Sequence, residues 1–428
     1  MPRPDNFTEM CCEEDACALT GAAAFFAGIP EAAVVINGPM WCYYYAMRHL
    51  EANLPLVSQR MACSQLDNTS IVFGAEDYLR ETLEPYAEKP PALLCVENNC
   101  SASLIGDDVG GIVADMGIDC PVVFFDSGGL AGGFAAGYVR ASLAVAETLF
   151  TAKQAAKGSK VNLLGLTTGY YNGVNDRREL VRLLELAGYE VGACPGDGSP
   201  LEDFLSVPEA ALNIVVHEEL GRPLAEWLEK KYGTPFIVLP PPYGVAGTRR
   251  WLEGLNEALP APKIAEALAE VDRVQNAILL RLSEIKIIFG ELWYERVLVA
   301  APPSAALGIA EALRCEWADV GWLSVLLAQP LGKEKPDYAD EIICSATDGL
   351  RVKEALRSLR SGILLGSSNE STQVKGVAEG TVPFLPLAYP VFERALLTDL
   401  PFMGLRGAQY LQERLWNLRL SQRKCGNL

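Results

Sequence analysis

Three cysteines carry the chemistry that this chain offers: Cys17, Cys42 and Cys100. Cys42 follows the apolar, strand-like run 32–36 and a Gly38-Pro39 turn, and it opens the helix-like segment YYYAMRHLE. Cys100 follows the strand-like ALLCV and precedes a helix beginning near Ser101, while Cys17 heads the small-residue helix ALTGAAAFF. All three thiols therefore fall at or near helix N-termini, where the macrodipole and free N–H groups favour thiolate over thiol. Thiolates gathered at loop ends suggest a soft metal or an iron–sulfur cluster.

The elements that must position them read as an α/β alternation. Residues 17–150 run ALTGAAAFF, AAVVI, YYYAMRHLE, TSIVF, AEDYLRETLEPYAE, PALLCV, SLIGDDVGGIVADM, CPVVFF and AAGYVRASLAVAETLF, helix-like and strand-like in turn. Such a pattern predicts a parallel sheet with helices on both faces, TSIVF included among its strands. Ligands of such sheets sit outside the carboxyl ends of strands, where these cysteines fall. The stretch DSGGLAGGFAAGY (126–138) lacks the Lys-Ser/Thr ending of a phosphate loop and does not fit GxGxxG, so close backbone approach in a turn explains its glycines better. With no Walker A motif in the chain, any ATP hydrolysis must come from another protein.

Other candidates have competing readings. Cys11 and Cys12 could be ligands, but Glu13, Glu14 and Asp15 raise thiol pKa and favour bystanders. Cys63, in the polar stretch MACSQLDN, could supply a fourth ligand or be structural. Cys95 and Cys120 read as core residues of strands, Cys194, Cys315 and Cys344 as ordinary buried thiols, and Cys425 as part of a polar tail. There are two histidines. His49 reads as structural. His217 ends the strand ALNIVV, where an imidazole could ligate iron, act as a proton donor or simply bond to backbone.

Composition bounds the partners. A formal charge of −18 argues against nucleic acid or an anionic membrane surface. The apolar stretch 122–139 carries Asp126 and several glycines and is too polar to span a bilayer. The N-terminal MPRPDNFTEMCCEEDAC has no apolar core, so no secretory signal is expected. Twelve cysteines in such a chain favour metal ligands and buried thiols over a disulfide framework, and a reducing cytoplasm.

Beyond the polar linker AAKGSK, a second unit reads NLLGL, a helix over NDRRELVRLLELAG capped by Gly188, YEVGAC, ALNIVV, the helix LAEWLEKKYG and TPFIVLP, stopped by Pro240–Pro242. An amphipathic run over 261–289 leads into a third unit of ERVLVAA, SAALGIAEALRCEW, EIICSA, KEALRSLRSG, ILLGSS, VPFLPLAY and the closing helix GLRGAQYLQERLWN.

The order and spacing of C-x3-GA, GI, GP-x2-C, FG-x-E-x2-L and C-x3-LIGDD over residues 12–140 resembles the nitrogenase component 1 family. That family comprises the nitrogenase subunits, the cofactor-assembly scaffold pair, the dark-operative protochlorophyllide reductase subunits, the reductase of nickel-tetrapyrrole biosynthesis and methylthio-alkane reductases. The likeness is looser but traceable to about residue 415. By position, Cys17, Cys42 and Cys100 match the family's three ligands to a cluster shared across a subunit interface. His217 falls where the catalytic nitrogenase subunit has the cysteine that holds its iron–molybdenum cofactor. Ala388, within FLPLAYP, occupies the place of that cofactor's histidine, so the chain departs from the nitrogen-fixing pattern. Asn37 stands where many members have His.

The resemblance implies three Rossmann-like domains with parallel sheets around a central cleft. The expected boundaries are 1–157, carrying the interfacial cysteines, 158–260, and 261–428 with the long connecting helix. It implies a homodimer, or a heterodimer with a sister subunit, holding a [4Fe-4S] or [8Fe-7S] cluster at its interface through Cys17, Cys42 and Cys100, with Cys63 or Cys12 as an extra ligand. An ATP-dependent iron-protein-type reductase would supply electrons for a small-molecule or tetrapyrrole-type substrate, with His217 binding a second metallocofactor or tetrapyrrole or acting in catalysis. The alternatives are a scaffold for assembling a complex iron–sulfur cofactor and a non-redox metal- or tetrapyrrole-binding protein.

Overall fold

The computed structural model describes residues 16–106, 108–126, 131–150, 158–332, 334–377 and 381–421. It is an α/β protein with three sheets, every named strand pairing in parallel. Chain contacts divide it into two compact units.

The first unit comprises Ala16–Val174 and Glu190–Val238. It begins α1 (Ala18–Ala27), β1 (Ala32–Asn37), α2 (Met40–Leu50), β2 (Met61–Cys63), α3 (Asn68–Phe73), α4 (Glu76–Glu88), β3 (Leu93–Asn98), α5 (Cys100–Ile105), α6 (Val109–Met116), β4 (Val122–Asp126) and α7 (Phe134–Leu149). The four strands form a sheet in the order β2-β1-β3-β4. AAVVIN and LLCVEN are buried along their whole length, as strands covered on both faces must be. A second sheet joins β5 (Val161–Leu164), β6 (Leu212–Val215) and β7 (Phe236–Val238) in sequence order. α9 (Leu201–Leu205) precedes β6 and α10 (Glu218–Tyr232) lies between β6 and β7, whereas α8 (Gly173–Leu186), next after β5 in the chain, belongs almost wholly to the second unit.

Small residues bring α1 and α7 together. A Cβ on Gly21 would lie 1.9 Å from the Phe134 carbonyl oxygen, and one on Gly137 would lie 1.8 Å from that of Ala18. Within 126–138, Gly137 thus serves close backbone approach, in keeping with the sequence.

The second unit contains Asn175–Tyr189 and the described part of Leu239–Leu428. It holds α11 (Gly244–Ala258), α12 (Ile264–Phe289), β8 (Trp293–Ala300), α13 (Pro303–Ala312), β9 (Asp319–Leu327), β10 (Glu341–Cys344), α14 (Gly349–Arg357), β11 (Gly362–Gly366), α15 (Ser368–Val377), β12 (Phe384–Pro386) and α16 (Gly404–Ser421). Its sheet runs β10-β9-β8-β11-β12. The start of α16 is fixed by acids of the 175–189 segment. Asp176 Oδ1 accepts from the N–H groups of Phe402 (2.6 Å) and Met403 (2.8 Å), and buried Glu179 pairs with Arg182 at 2.6 Å.

Four sequence readings are corrected. TSIVF is helical, because Asp67 and Ser70 form a reciprocal capping box that satisfies the first N–H groups of α3, and the strand is the preceding MAC. SLIGDDVGGIVADM is two helices, broken at Gly106, whose φ of 79° ends α5, and restarted by Asp108, which accepts from Gly111 N–H. YEVGAC makes only an isolated bridge, Val191 to Val161. The central neighbour DVGWLSVLL, β9, was not marked as a strand by its sequence, and it is the partner of β8 over seven residue pairs. Among the described residues no helix is long and apolar enough to cross a membrane.

Candidate metal centre

The carboxyl ends of the four-stranded sheet bring the predicted thiols together. Cys17 is the N-cap of α1 and pairs with Gly133 in an antiparallel bridge, with Ala18 N–H donating to Gly132 O at 3.0 Å. Cys42 lies in the first turn of α2, just after the turn that leaves β1, and its N–H bonds Pro39 O at 3.1 Å. Cys100 is the first residue of α5, directly behind the Asn99 N-cap that follows β3. Each thiol sits at the head of a helix, and each is partly exposed. Burial pushes the Cys42 thiol above its ordinary pKa, a hydrogen bond from Asn99 opposes that, and the charges of Cys17 and Cys100 add to the rise. Cys42 therefore lies within electrostatic reach of both other thiols, and assembling three thiolates there calls for a compensating positive charge.

Among the described residues no group of three His, Cys, Asp or Glu side chains could hold a metal ion. A mononuclear site needs donors converging on one point at about 2.3 Å. Ligands of a multi-iron cluster bind different irons and need not converge on one point, and thiolates are the soft donors such a cluster takes.

A buried polar network underlies the thiols. Asn37 Nδ2 donates to Asn98 Oδ1 at 2.9 Å across β1 and β3, and Ser64 Oγ donates to Asn37 Oδ1 at 2.8 Å. Gly38 N–H donates to Ser64 Oγ at 3.0 Å. Asn99 Oδ1 accepts from Ala102 N–H at 2.9 Å, and its Nδ2 faces Cys42 Sγ at 3.5 Å. Cys63, at the end of β2, donates to Gly38 O (3.2 Å), accepts from Gln65 N–H (3.4 Å) and senses the charge of Cys42. Cys12 lies outside the described residues, as do Cys11 and Cys425.

The helices that carry Cys42 and Cys100, and α3 beside them, expose large apolar side chains. Trp41, Tyr44 and Tyr45 on α2, Val72 and Phe73 on α3 and Leu104 on α5 are exposed, Trp41 by 68% and Phe73 by 84%. Trp41 stacks on Tyr45 with ring centroids 6.3 Å apart. Exposed aromatic collars of this kind mark interaction surfaces.

His217 is the N-cap of α10, buried to 4% exposure and held by burial at a pKa of about 3. It is therefore neutral near physiological pH, the form that ligates metal. A file of rings links both histidines: His49 to Phe134 (5.7 Å), Phe134 to Tyr170 (5.6 Å) and Tyr170 to His217 (4.9 Å). Tyr170 Oη donates to Glu219 at 3.3 Å, and His49 Nε2 meets Gly169 O at 2.8 Å. Ala388 is buried after β12 and has no donor to offer a metal.

Cys95, Cys194 and Cys344 are buried as expected. Cys120 is only partly buried, since it stands ahead of β4 and not within it. Cys315 is exposed, because the π-helical turn Leu313–Trp317 puts Leu313 and Trp317 inward and leaves the residue between them outside. Sequence reasoning missed Asn99, although its place before Cys100, at a helix start where Asn is favoured, was a readable signal. It also missed the ring file, which has no linear signature.

Residues 17–419 match the model of the nitrogenase component 1 type oxidoreductase family. The chain is 33% identical over 182 residues to one component of the light-independent protochlorophyllide reductase of Methylocella silvestris, a match spanning 41% of this chain and 36% of that relative. It is 28% identical over 342 residues to the nitrogenase iron-molybdenum cofactor biosynthesis protein NifE of Clostridium pasteurianum, covering 78% of this chain and 71% of that one. The solved structure of nitrogenase Cp1 at pH 6.5 superposes with a TM-score of 0.75 at 18% identity, covering 98% of this chain and 94% of the other, which establishes the likeness of fold. On the family match over nearly its whole length, the chain belongs to the nitrogenase component 1 type oxidoreductases.

Proposed function

We propose that Cys17, Cys42 and Cys100 hold an iron–sulfur cluster and that the chain is the substrate-reducing component of a nitrogenase-like system. The observation that carries this reading is the placing of three partly exposed thiols at the starts of α1, α2 and α5, with an amide N–H turned onto Cys42 sulfur. Bound there, the cluster supplies one-electron storage at a potential set by its surroundings. The chain's own part is to present three thiolates from helix N-termini, to donate hydrogen bonds to sulfur and to limit water. The apolar collar supports an interface with a second subunit, either a copy of this chain or a sister. Six thiolates across such an interface suit an [8Fe-7S] cluster, and three with one extra ligand such as Cys63 suit [4Fe-4S]. Electrons would come from an ATP-dependent iron-protein-type reductase, and the substrate is a small molecule or tetrapyrrole beside neutral His217.

The test is anaerobic purification with iron and acid-labile sulfide quantitation and electron paramagnetic resonance, followed by turnover with such a reductase and ATP. Protein without iron or sulfide after anaerobic reconstitution would sink the reading. A scaffold role is the second reading, favoured by the 28% identity to NifE. A loaded chain that hands its cluster to another protein and never turns over would establish it.

A further inference from the structure

We infer that Asn99 tunes the reduction potential of the group held by Cys42, acting as a positioned N–H donor to the ligand sulfur. The inference rests on the proposed cluster site and names a residue role within it. Asn99 is buried, 3% exposed, and its amide has one orientation chemically open to it. Oδ1 accepts the Ala102 N–H at 2.9 Å, so Nδ2 must point the other way, where Cys42 Sγ lies at 3.5 Å. The backbone of Asn99 is anchored as well, its N–H donating to Asn37 O at 3.0 Å and its carbonyl accepting from Ser103 N–H at 3.0 Å. Space for the amide is left by a neighbouring glycine. A Cβ on Gly38 would fall 2.8 Å from both Cβ and Cγ of Asn99. An N–H aimed at a ligand thiolate draws electron density from sulfur and stabilises the more electron-rich, reduced state. Asn99 is thus a positioning residue and not a catalytic one.

Asn99 also caps α5, so the test must separate the two roles. Asn99→Ser keeps a neutral capping oxygen and loses the amide that reaches sulfur, its shorter hydroxyl taking the place of Cγ. Gly38→Ala leaves Asn99 intact but forces its amide away. Both variants and the unaltered chain are purified anaerobically, assayed for iron, and titrated for midpoint potential by electron paramagnetic resonance. Both variants are expected to keep their iron and to shift negative, the reduction equilibrium at a fixed poise falling about tenfold for one charge-assisted hydrogen bond, which is ~59 mV for one electron. An unchanged midpoint in iron-loaded Asn99→Ser overturns the inference and leaves the cluster reading standing. Loss of iron from both variants also overturns it, because a tuning residue leaves occupancy intact. An unaltered chain without iron removes the cluster reading itself, and the inference with it.

Discussion

Two sheet edges of this molecule occupy the same topological place and have been furnished in opposite ways. At the carboxyl ends of β1 and β3 the first unit offers partly exposed thiols backed by buried amides and ringed by exposed aromatic side chains. At the carboxyl end of β11 the second unit closes the same position with its own polar groups. Glu370 Oε2 accepts from Ser367 N–H (2.8 Å) and Oγ (2.6 Å), and Glu393 takes Ser368, Ser371 (3.2 Å) and Lys375 (3.2 Å). A cavity of about 750 Å³ nearby is lined by Lys375, Glu393 and Arg394, and its lysine is already paired with its glutamate. Parallel sheets leave helix N-termini and open backbone groups at that edge. At the first edge three thiols stay partly exposed, whereas at the second the carboxylates are taken up by neighbouring hydroxyls, an N–H and a lysine.

The contrast can be broken most decisively by substituting thiols. Cys17→Ala, Cys42→Ala and Cys100→Ala should each lose most of the iron bound after reconstitution, whereas Cys95→Ala and Cys344→Ala should keep it. Iron and sulfide assays on all five decide the matter, and equal retention throughout ends the contrast. Next in size is Gly137→Ala. A mid-helix Gly-to-Ala change ordinarily stabilises by about 1 kcal/mol, but here the new methyl meets the Ala18 carbonyl at 1.8 Å. The helices must separate, costing about 3 kcal/mol, and Cys17 moves with α1, so both the urea midpoint and iron content should fall.

On the other edge, Glu370→Ala should cost about 2 kcal/mol by leaving Ser367 N–H buried without its acceptor. Its denaturation midpoint should drop while iron content stays at the unaltered level. An iron loss there would erase the distinction between the edges.

A more gradual effect is a pH dependence confined to the first unit. Burial lowers His217 to about 3 and His49 to about 4, both from 6.5. Between those values and 6.5 the unfolded chain binds more protons, so stability falls as pH drops below 6.5, by up to ~1.4 kcal/mol per pH unit per histidine. Chemical denaturation from pH 7 to 5 should show that slope, and His217→Asn should flatten it. A slope unchanged in that variant would place the titrating group elsewhere.

Much of the first edge was legible in the sequence because its information is local. A β-branched run, a Gly-Pro turn and a cysteine opening a helix are set within a dozen residues, and backbone sterics with the helix dipole fix where that thiol lies. The same reasoning failed at TSIVF, where a strand-like composition lost to the capping box of Asp67 and Ser70, worth more to the chain than β propensity at a solvent-exposed segment. It failed at Cys315 because a π turn changes which residue faces out, and nothing in LRCEW announces the extra residue per turn.

By itself, then, the sequence determined the α/β class, the placing of Cys17, Cys42 and Cys100 at helix heads and the buried character of β1 and β3, all consequences of short-range periodicity and backbone chemistry. Only the tertiary structure decided that Asn99, Gly38 and Cys42 meet, that Phe134 and Tyr170 lie in file between His49 and His217, and that the edge of β11 is occupied by Glu370 and Glu393. Those contacts depend on the packing of elements tens of residues apart, where sub-ångström fit and the absence of a Cβ decide which polar group reaches which partner.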